Sequence, residues 1–463
     1  MQPTVHLLKL PIAVVILILS FSFIPLKLNK ALQPPSKTLS ANILTDNLYI
    51  LQDNPDKEFY LYLELNAITA EKNKDKTPLN ISLVLDRSGS MASEKKLEYA
   101  KKASEFVIDN LSASDYFSMV IYDDEVKTLS RSEKVQNKQL LKNKIAGILP
   151  GNTTNLSGGM LQGFNEVKST FAPKAVNRVL LLSDGLANNG ITDPLELQKI
   201  VQTKNTEDGI SLSTFGVGAD FNEDMMTNLA EYGSGNYYFI DNADKIPEIF
   251  ANELEGLLSV VAQNTQVEIK YPSAYFRLAK LYGYPYSEGE NGEIKVNFKD
   301  VFSEETKAVL IKFEMIQTPD TDIAFQSKIS YDDAIGNYNR EILEKRLNVK
   351  ITDDKELYDK SFNEKVKKNI VLFEANEEME KALLMVDKRL YDDAKKTLDS
   401  SIEKMEKSFT QIQPDSSLMM QFESLKSYRT QIDNIKQMNE QERKMMQKSN
   451  KSSNYLLKKK KQN

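Results

Sequence analysis

Strand-like and helical segments alternate from Ile81 to about Val261, which constrains the fold more than any other feature of this 463-residue sequence. Apolar runs such as ISLVL, FSMVIY and RVLLLSDG have the length of buried strands. Segments with helical spacing lie between them, and Ser93 is placed to cap the first predicted helix. The alternation predicts an α/β fold, a doubly wound, mostly parallel open sheet (Rossmann-like) with helices on both faces.

Strand-like patterns flank this α/β segment on both sides. Residues 263–352 contain alternating stretches such as VEIKYP, KAVLIKFEMI and AFQSKISYDD, which predict a β-sandwich-like domain. Residues 41–78 hold shorter runs that are too small to fold alone. We expect them to pair with the later strands. The α/β domain, predicted at residues 79–262 with its last helix at 244–262, would then be inserted in the sandwich.

Helical periodicity dominates the C-terminal part of the chain. Residues 353–440 contain two amphipathic segments that predict a helical hairpin docked on the sandwich, and Pro414 precedes a further helical stretch. Residues 441–463 include the lysine run Lys458 to Lys461. We expect this last segment to be a solvated basic tail.

The N-terminus carries an apolar run from Leu10 to Leu26 after Lys9. Its length is at the lower edge of the roughly 17–25 residues of a membrane span and slightly long for a signal-peptide core. Residues 1–40 therefore predict a signal peptide or membrane anchor followed by a linker. We expect a protein of the cell envelope that is exported or anchored, on the periplasmic or extracellular face, and in contact with the membrane if the segment is uncleaved.

The composition excludes several kinds of chemistry. Cysteine is absent, which removes disulfides, thiolate metal sites and cysteine nucleophiles. The single histidine, His6, precedes the first apolar run, so the folded body has neither a Ser-His-Asp relay nor a histidine zinc site. The 60 basic and 66 acidic residues give a net charge of −6, which argues against nucleic acid as a partner.

Oxygen-bearing side chains follow the predicted strands of the α/β segment. In an open parallel sheet, ligands bind beyond the carboxyl ends of the strands, where the strand order reverses. Such oxygen donors favour Mg²⁺, with Mn²⁺ or Ca²⁺ as alternatives. Taken singly, each motif also suits a turn or a helix cap. Taken together, five residues predict one metal site: Asp86, Ser88, Ser90, Thr154 and Asp184.

The stretches DRSGSM, GNTTNL and LLSDG resemble the metal-ion-dependent adhesion site of the von Willebrand factor type A family. FGVGADFNEDMMTNLAEYGSGNYYFI resembles the distal half of bacterial members of that family. The resemblance covers about residues 79–262 and implies the same doubly wound sheet. It also implies direct or near-direct ligands at Ser88, Ser90 and Thr154, with Asp86 and Asp184 holding the ion largely through water.

In that family an acidic residue of a protein partner completes the coordination sphere, so the resemblance implies a metal-dependent binding protein and not an enzyme. The paired acidic residues that hold a second ion in integrin β subunits are replaced here by a stretch with only Glu94. One alternative is an assembly or regulatory subunit of a larger membrane complex. The other is a Mg²⁺-dependent phosphoryl-transfer enzyme, whose second aspartate would have to stand at Ser88.

Overall fold

The computed structural model describes most of the chain after the N-terminal apolar segment, so the predicted signal peptide or anchor at Leu10–Leu26 lies outside the described residues. None of the helices within the described part has the length and apolar character needed to cross a membrane. The described residues are 38–52, 57–69, 77–185, 187–335 and 338–462.

The secondary structure follows four successive patterns along the chain. Strands come first: β1 (Leu39–Thr45), β2 (Tyr49–Leu51) and β3 (Glu58–Ala67). Strands and helices then alternate: β4 (Leu79–Asp86), α1 (Lys96–Asn110), β5 (Tyr116–Tyr122), β6 (Val126–Lys134), α2 (Lys138–Ala146), α3 (Leu156–Ser169), β7 (Val176–Ser183), α4 (Pro194–Thr206), β8 (Ser211–Val217), α5 (Glu223–Tyr232), β9 (Ser234–Ile240) and α6 (Ile246–Leu258). Further strands follow: β10 (Val260–Lys270), β11 (Phe276–Tyr282), β12 (Tyr286–Glu288), β13 (Glu293–Phe302), β14 (Thr306–Met315), β15 (Ile323–Asp333) and β16 (Arg340–Thr352). Helices come last: α7 (Lys355–Lys360), α8 (Glu364–Asp387), α9 (Tyr391–Phe409), α10 (Ser416–Asn434) and α11 (Glu440–Gln462).

The alternating part forms one sheet in the order β6-β5-β4-β7-β8-β9. Its neighbours are parallel except for β6, which pairs antiparallel with β5 at the edge. The predicted fold class, a doubly wound and mostly parallel sheet, is therefore confirmed. Strand order reverses between β4 and β7, so this is the switch point at which ligands bind in such sheets. The sequence did not predict β6, because this partly exposed edge strand has few apolar residues.

Two apolar clusters cover the faces of this sheet. Along β4, Ile81, Leu83 and Leu85 belong to the cluster that includes α1 and α6, whereas Val84 belongs to the cluster that includes α3 and α5. Alternate residues of a strand point to opposite faces, and β4 is apolar on both because helices cover both. The central strand is thereby fixed in register, and its last residue, Asp86, is placed at the edge of the sheet.

The flanking strands form two sheets around a third apolar cluster. Their orders are β1-β3-β14-β11 and β12-β13-β10-β15-β16-β2, antiparallel apart from the short parallel β2–β16 pair. Phe59 of the first sheet stacks on Phe325 of the second with 5.4 Å between ring centroids. Because β3 pairs with β14 along its length, the α/β domain is inserted between two parts of one sandwich.

The link between the α/β domain and the sandwich differs from the sequence prediction. The last helix was expected over 244–262, but α6 ends at Leu258 and β10 begins at Val260. Val261 and Ala262 are buried in the sandwich core, and Val260 pairs with Phe302 of β13. An apolar run of this kind suits either a helix or a strand, and burial against the sandwich decides in favour of the strand.

Helices α8 to α11 share an apolar core of their own. Val366 and Phe373 of α8 also pack on Tyr62 and Leu310 of the four-stranded sheet, so this region docks on the sandwich. The expected solvated tail is instead helix α11, and Tyr455 is buried in the core of the α/β domain. The sequence prediction missed this helix because its many lysines suggested exposure, whereas Lys451 and Lys458 form ion pairs with acidic residues of neighbouring helices.

Candidate metal centre

Asp86 and Asp184 stand at the carboxyl ends of two neighbouring parallel strands. Leu85 of β4 pairs with Leu182 of β7, so the residues that follow them meet at the same edge of the sheet. Both carboxylates have 0% of their surface exposed. Burying a carboxylate is costly unless it is hydrogen-bonded or paired. The hydrogen-bond and ion-pair partners of each carboxylate therefore show how its burial is compensated.

The Asp86 carboxylate is held by two hydrogen bonds from its own edge of the sheet. Its Oδ1 accepts the backbone N–H of Ser88 at 2.8 Å, and its Oδ2 accepts the hydroxyl of Ser183 at 2.7 Å. Burial raises the pKa of Asp86 to about 6, although these hydrogen bonds lower it in part. Asp86 thereby fixes the turn that directs Ser88 and Ser90 toward the switch point.

The Asp184 carboxylate receives a hydroxyl and an ammonium group. Its Oδ1 accepts the Ser90 hydroxyl at 2.7 Å, and its Oδ2 accepts Lys96 Nζ at 2.9 Å. The Oγ atoms of Ser88 and Ser90 lie 3.2 Å apart. Ser90 Oγ is thus within hydrogen-bond distance of two other predicted ligand oxygens, Ser88 Oγ and Asp184 Oδ1. Ser90 is exposed, which leaves this edge open to solvent.

Thr154 is held at the same edge of the sheet by Asn188, which lies in the loop after β7. Its N–H donates to Asn188 Oδ1 at 2.9 Å, and its carbonyl accepts the N–H of Asn188 at 3.2 Å. A Cβ on Gly185 would lie 3.4 Å from Thr154 Oγ1 and 3.6 Å from Ser90 Oγ, so both hydroxyls border one position. The structure therefore brings all five predicted site residues together at the switch point.

A second set of contacts supports the loop that carries Thr154. Arg87 pairs with Asp123, at the end of β5, with 2.8 Å between Nη2 and Oδ1. The carbonyl of Asp123 accepts the N–H of Asn155 at 2.8 Å. Gly151 is packed so closely that a Cβ there would lie 1.7 Å from Asp123 Oδ2. The carboxyl end of β5 therefore positions the Thr154 loop.

Sequence reasoning missed Lys96, Ser183, Asp123 and Asn188. Ser183 and Asp123 end or follow predicted strands, and that position could have identified them. Lys96 gave no such signal, because a lysine in a helical pattern is usually on a solvated face. The predicted cap Ser93 is also different in the structure, since a 3₁₀ turn precedes α1 and the Ser93 hydroxyl donates to the carbonyl of Ser90 at 2.8 Å.

The donor set fits a hard divalent cation. Two carboxylates and three hydroxyls offer only oxygen, the ligand atom that Mg²⁺ and Ca²⁺ prefer, and Mg²⁺ commonly keeps several waters. Across the described residues, no group of three or more histidine, cysteine, aspartate or glutamate side chains is placed to hold a metal ion. The hydroxyls of Ser88, Ser90 and Thr154 would therefore be essential to a cation site here, with the two aspartates supplying its negative charge.

Comparison with known proteins identifies the domain that carries this site. Residues 80–252 match the sequence model of the von Willebrand factor type A domain. The chain therefore contains a von Willebrand factor type A domain, inserted in a β-sandwich and followed by helices.

Three similar proteins illustrate the extent of the match. The uncharacterized protein YfbK of Escherichia coli is 28% identical over 238 residues, which cover 51% of this chain and 41% of that protein. The human inter-alpha-trypsin inhibitor heavy chain H2 is 31% identical over 175 residues, which cover 36% of this chain and 18% of that protein. This chain thus spans less than half the length of both. A solved von Willebrand factor type A structure from Catenulispora acidiphila shares the fold over 84% of this chain and 90% of its own, with a TM-score of 0.68 and 16% identity.

Proposed function

We propose that this chain is a divalent-cation-dependent protein-binding protein of the cell envelope, acting in adhesion or as a scaffold. Its Mg²⁺-type site recruits a carboxylate of a partner protein. The observation that supports this most directly is the convergence of five oxygen-bearing side chains at the switch point of the sheet. Their residues are Asp86, Ser88, Ser90, Thr154 and Asp184.

Each residue has a distinct part in this proposal. A bound dication supplies positive charge and an open coordination position that an incoming carboxylate can occupy. Ser88, Ser90 and Thr154 contribute neutral hydroxyl oxygens, and only Asp86 and Asp184 contribute negative charge. Because both aspartates are expected to hold the ion largely through water, no carboxylate binds it directly, and the site favours an anionic group from outside. Ser90, which is exposed, marks the side from which the partner approaches.

The surroundings of Asp86 argue against the phosphoryl-transfer alternative. A nucleophilic aspartate must present an oxygen to its substrate. Both oxygens of Asp86 already accept hydrogen bonds, from Ser88 and Ser183, and the residue is fully buried. The second aspartate that a phosphoryl-transfer enzyme of this kind would need is replaced by Ser88. The geometry of Asp86 is that of a residue that orients the loop carrying Ser88 and Ser90. This supports a binding role for the site and not a catalytic one.

Calorimetric titration with Mg²⁺ and Mn²⁺ tests the proposed cation site. We expect binding by the unaltered protein, loss of binding in Asp86→Ala, and clear weakening in Ser90→Ala, in which Asp184 loses one hydrogen-bond donor but keeps Lys96. Asp109→Ala is the matched control, because this aspartate is 53% exposed at the far end of α1. Unchanged titrations of folded Asp86→Ala and Ser90→Ala would disprove the proposal.

The partner and the compartment need separate experiments. Envelope proteins retained by residues 41–463 in Mg²⁺ should be released by chelator and should not be retained by Ser90→Ala. The envelope location is supported by the apolar run at Leu10–Leu26 in the sequence. Protease accessibility of the full chain in intact cells and in spheroplasts tests it. Protection in both preparations would favour the alternative, an assembly or regulatory subunit acting on a membrane complex from the cytoplasm.

A further inference from the structure

Lys96 is a buried lysine at an unusual place. Its side chain is 7% exposed, and its Nζ lies 2.9 Å from Oδ2 of Asp184, which is 0% exposed. It is the first residue of α1, where the positive end of the helix dipole disfavours a cation. Lysine is rarely buried without a partner. The position of Lys96 is therefore explained by Asp184 and not by the helix it belongs to.

The backbone around Lys96 is shaped to direct this side chain inward. Glu94 and Lys95 adopt left-handed conformations, with φ of 53° and 57°, at the end of the 3₁₀ turn Gly89–Lys95 that precedes α1. Gly218, after β8, has φ of 76°, and a Cβ there would lie 3.3 Å from Lys96 Nζ. Non-glycine residues seldom adopt positive φ. Two such residues in succession and a close glycine indicate that the ammonium group occupies a built position beside the candidate cation site.

The net charge at the switch point changes from negative to positive when a dication binds. Asp86 and Asp184 carry two negative charges and Lys96 one positive charge, which leaves the site net negative by one. Arg87 and Asp123 on the rim form a pair and cancel each other. A dication would turn the net charge to plus one. Without Lys96 the loaded site would be neutral, and it would attract a carboxylate less strongly.

We infer that Lys96 is a built-in counter-ion that lowers the affinity for the cation alone and raises the affinity of the cation-loaded site for a carboxylate, an inference that rests on the proposed function. Before a cation binds, the ammonium compensates the buried Asp184. Once a cation is bound, the ammonium repels it and adds to the attraction for the carboxylate of the partner. Lys96 therefore weakens binding of the cation alone and strengthens binding of the carboxylate to the cation-loaded site. It is a positioning and specificity residue, not a ligand.

The test compares Lys96→Met and Lys96→Gln with the unaltered protein and with Lys95→Met, an exposed neighbour. Lys96→Gln can still donate a hydrogen bond to Asp184, so it removes the charge with the least disturbance of the fold. Mn²⁺ affinity is measured by calorimetry. Binding of acetate to the Mn²⁺-loaded protein is measured by water-proton relaxation. We expect about tenfold tighter Mn²⁺ and about tenfold weaker acetate in both Lys96 variants, since the charges that share Asp184 lie within a few ångströms.

Thermal unfolding separates the charge effect from simple damage. In chelator, Lys96→Met should unfold several degrees below the unaltered protein, and Mn²⁺ should remove most of this difference because the dication replaces the lost charge. Mn²⁺ and acetate affinities that stay unchanged, or that both fall, in the Lys96 variants would overturn this inference and leave the proposed function standing. Absence of Mn²⁺ binding by the unaltered protein would overturn both.

Discussion

Several residues of this protein should be sensitive to substitution because they are tightly packed or buried. Neither a backbone shift nor solvent can then compensate for a change of side-chain volume or charge. Gly151 contacts Asp123 so closely that any side chain would collide with the carboxylate. Glu223 is 5% exposed and accepts a hydrogen bond from the Tyr237 hydroxyl at 3.0 Å. Such positions depend on exact volume or on charge state, and conservative substitutions reveal which of the two matters.

Gly151→Ala should weaken cation binding without touching a proposed ligand. The added methyl group must displace Asp123 or the loop that carries Thr154, and overpacking of this kind typically costs about 1–3 kcal/mol of stability. Calorimetric titration with Mn²⁺ should show clearly lower affinity. Gly147→Ala is the matched control, because a Cβ there would lie at an ordinary 3.5 Å from the nearest atom. Equal affinities of the two variants would contradict this account of the loop.

The contribution of Glu223 to stability should depend on pH. Burial raises the pKa of Glu223 above its usual value of 4.5, although Lys448 and Lys451 oppose the shift. The folded protein therefore favours the protonated form. This contribution is complete below pH 4.5 and is lost as the pH rises through the raised value. Urea unfolding from pH 4.5 to 8 should show a steeper loss of stability in the unaltered protein than in Glu223→Gln.

The control for this pH effect is Asp224→Asn, at the next residue. Asp224 is 58% exposed and contributes less than burial to the raised pKa of Glu223, so Asp224→Asn should change the slope of stability against pH much less than Glu223→Gln does. Parallel pH profiles for the unaltered protein and Glu223→Gln would show that this carboxyl group does not titrate abnormally.

Among the secondary-structure elements, α11 has the most unexpected role. Lys451 pairs with Asp224 of α5 and Asp387 of α8, and Lys458 likewise pairs with Glu231 of α5 and Glu380 of α8. The lysines of α11 thus tie the α/β domain to the helical region. Tyr455 adds an apolar anchor, since its ring is buried beside Tyr237 with 5.5 Å between the centroids.

Tyr455→Ala should therefore destabilise the whole chain and not only its last helix. Removing a buried aromatic side chain typically costs about 3–5 kcal/mol, and here the backbone N–H of Tyr237 also loses its acceptor, the Tyr455 hydroxyl. The measurement is the free energy of urea unfolding. Leu456→Ala, at a neighbouring side chain that is 46% exposed, should change it by less than about 0.5 kcal/mol. A similar small effect in both variants would mean that α11 is only loosely attached.

At the scale of the whole molecule, Arg178 joins the inserted α/β domain to the sandwich. It lies in β7 with 1% of its side chain exposed, and its guanidinium pairs with Glu253 of α6 at 3.0 Å and Asp300 of β13 at 2.9 Å. Glu253 also accepts hydrogen bonds from Ser213 and Tyr238. This buried network at the edge opposite the candidate cation site fixes the orientation of one domain on the other.

Arg178→Met should lower the free energy of unfolding by about 3–5 kcal/mol, because it leaves two buried carboxylates without their common cation. Arg277→Met is the control, since that arginine is 68% exposed on the sandwich and its ion pair contributes little. Urea unfolding followed by circular dichroism gives both values. A loss below about 1 kcal/mol would show that the domains are joined mainly by apolar contacts.

The sequence by itself determined the α/β domain and predicted which oxygen-bearing residues lie together at its switch point. Strands β4 and β7 are continuous apolar runs because both faces of the sheet are covered, and such runs can be identified without a structure. Asp86 and Asp184 could be assigned to one site because parallel neighbours end at a common edge. In both cases the information is local in the sequence, and the regular geometry of a parallel sheet supplies the rest.

Only the tertiary structure decided the roles of Lys96, α11 and the segment from Val260 to Ala262. Each of these has a local sequence that suits more than one environment: a lysine can be solvated or paired, and an apolar run can be helix or strand. What decides is a partner distant in the chain, such as Asp184 for Lys96 or the sandwich core for Val261. Burial and charge pairing depend on the whole fold, and a local pattern does not contain that information.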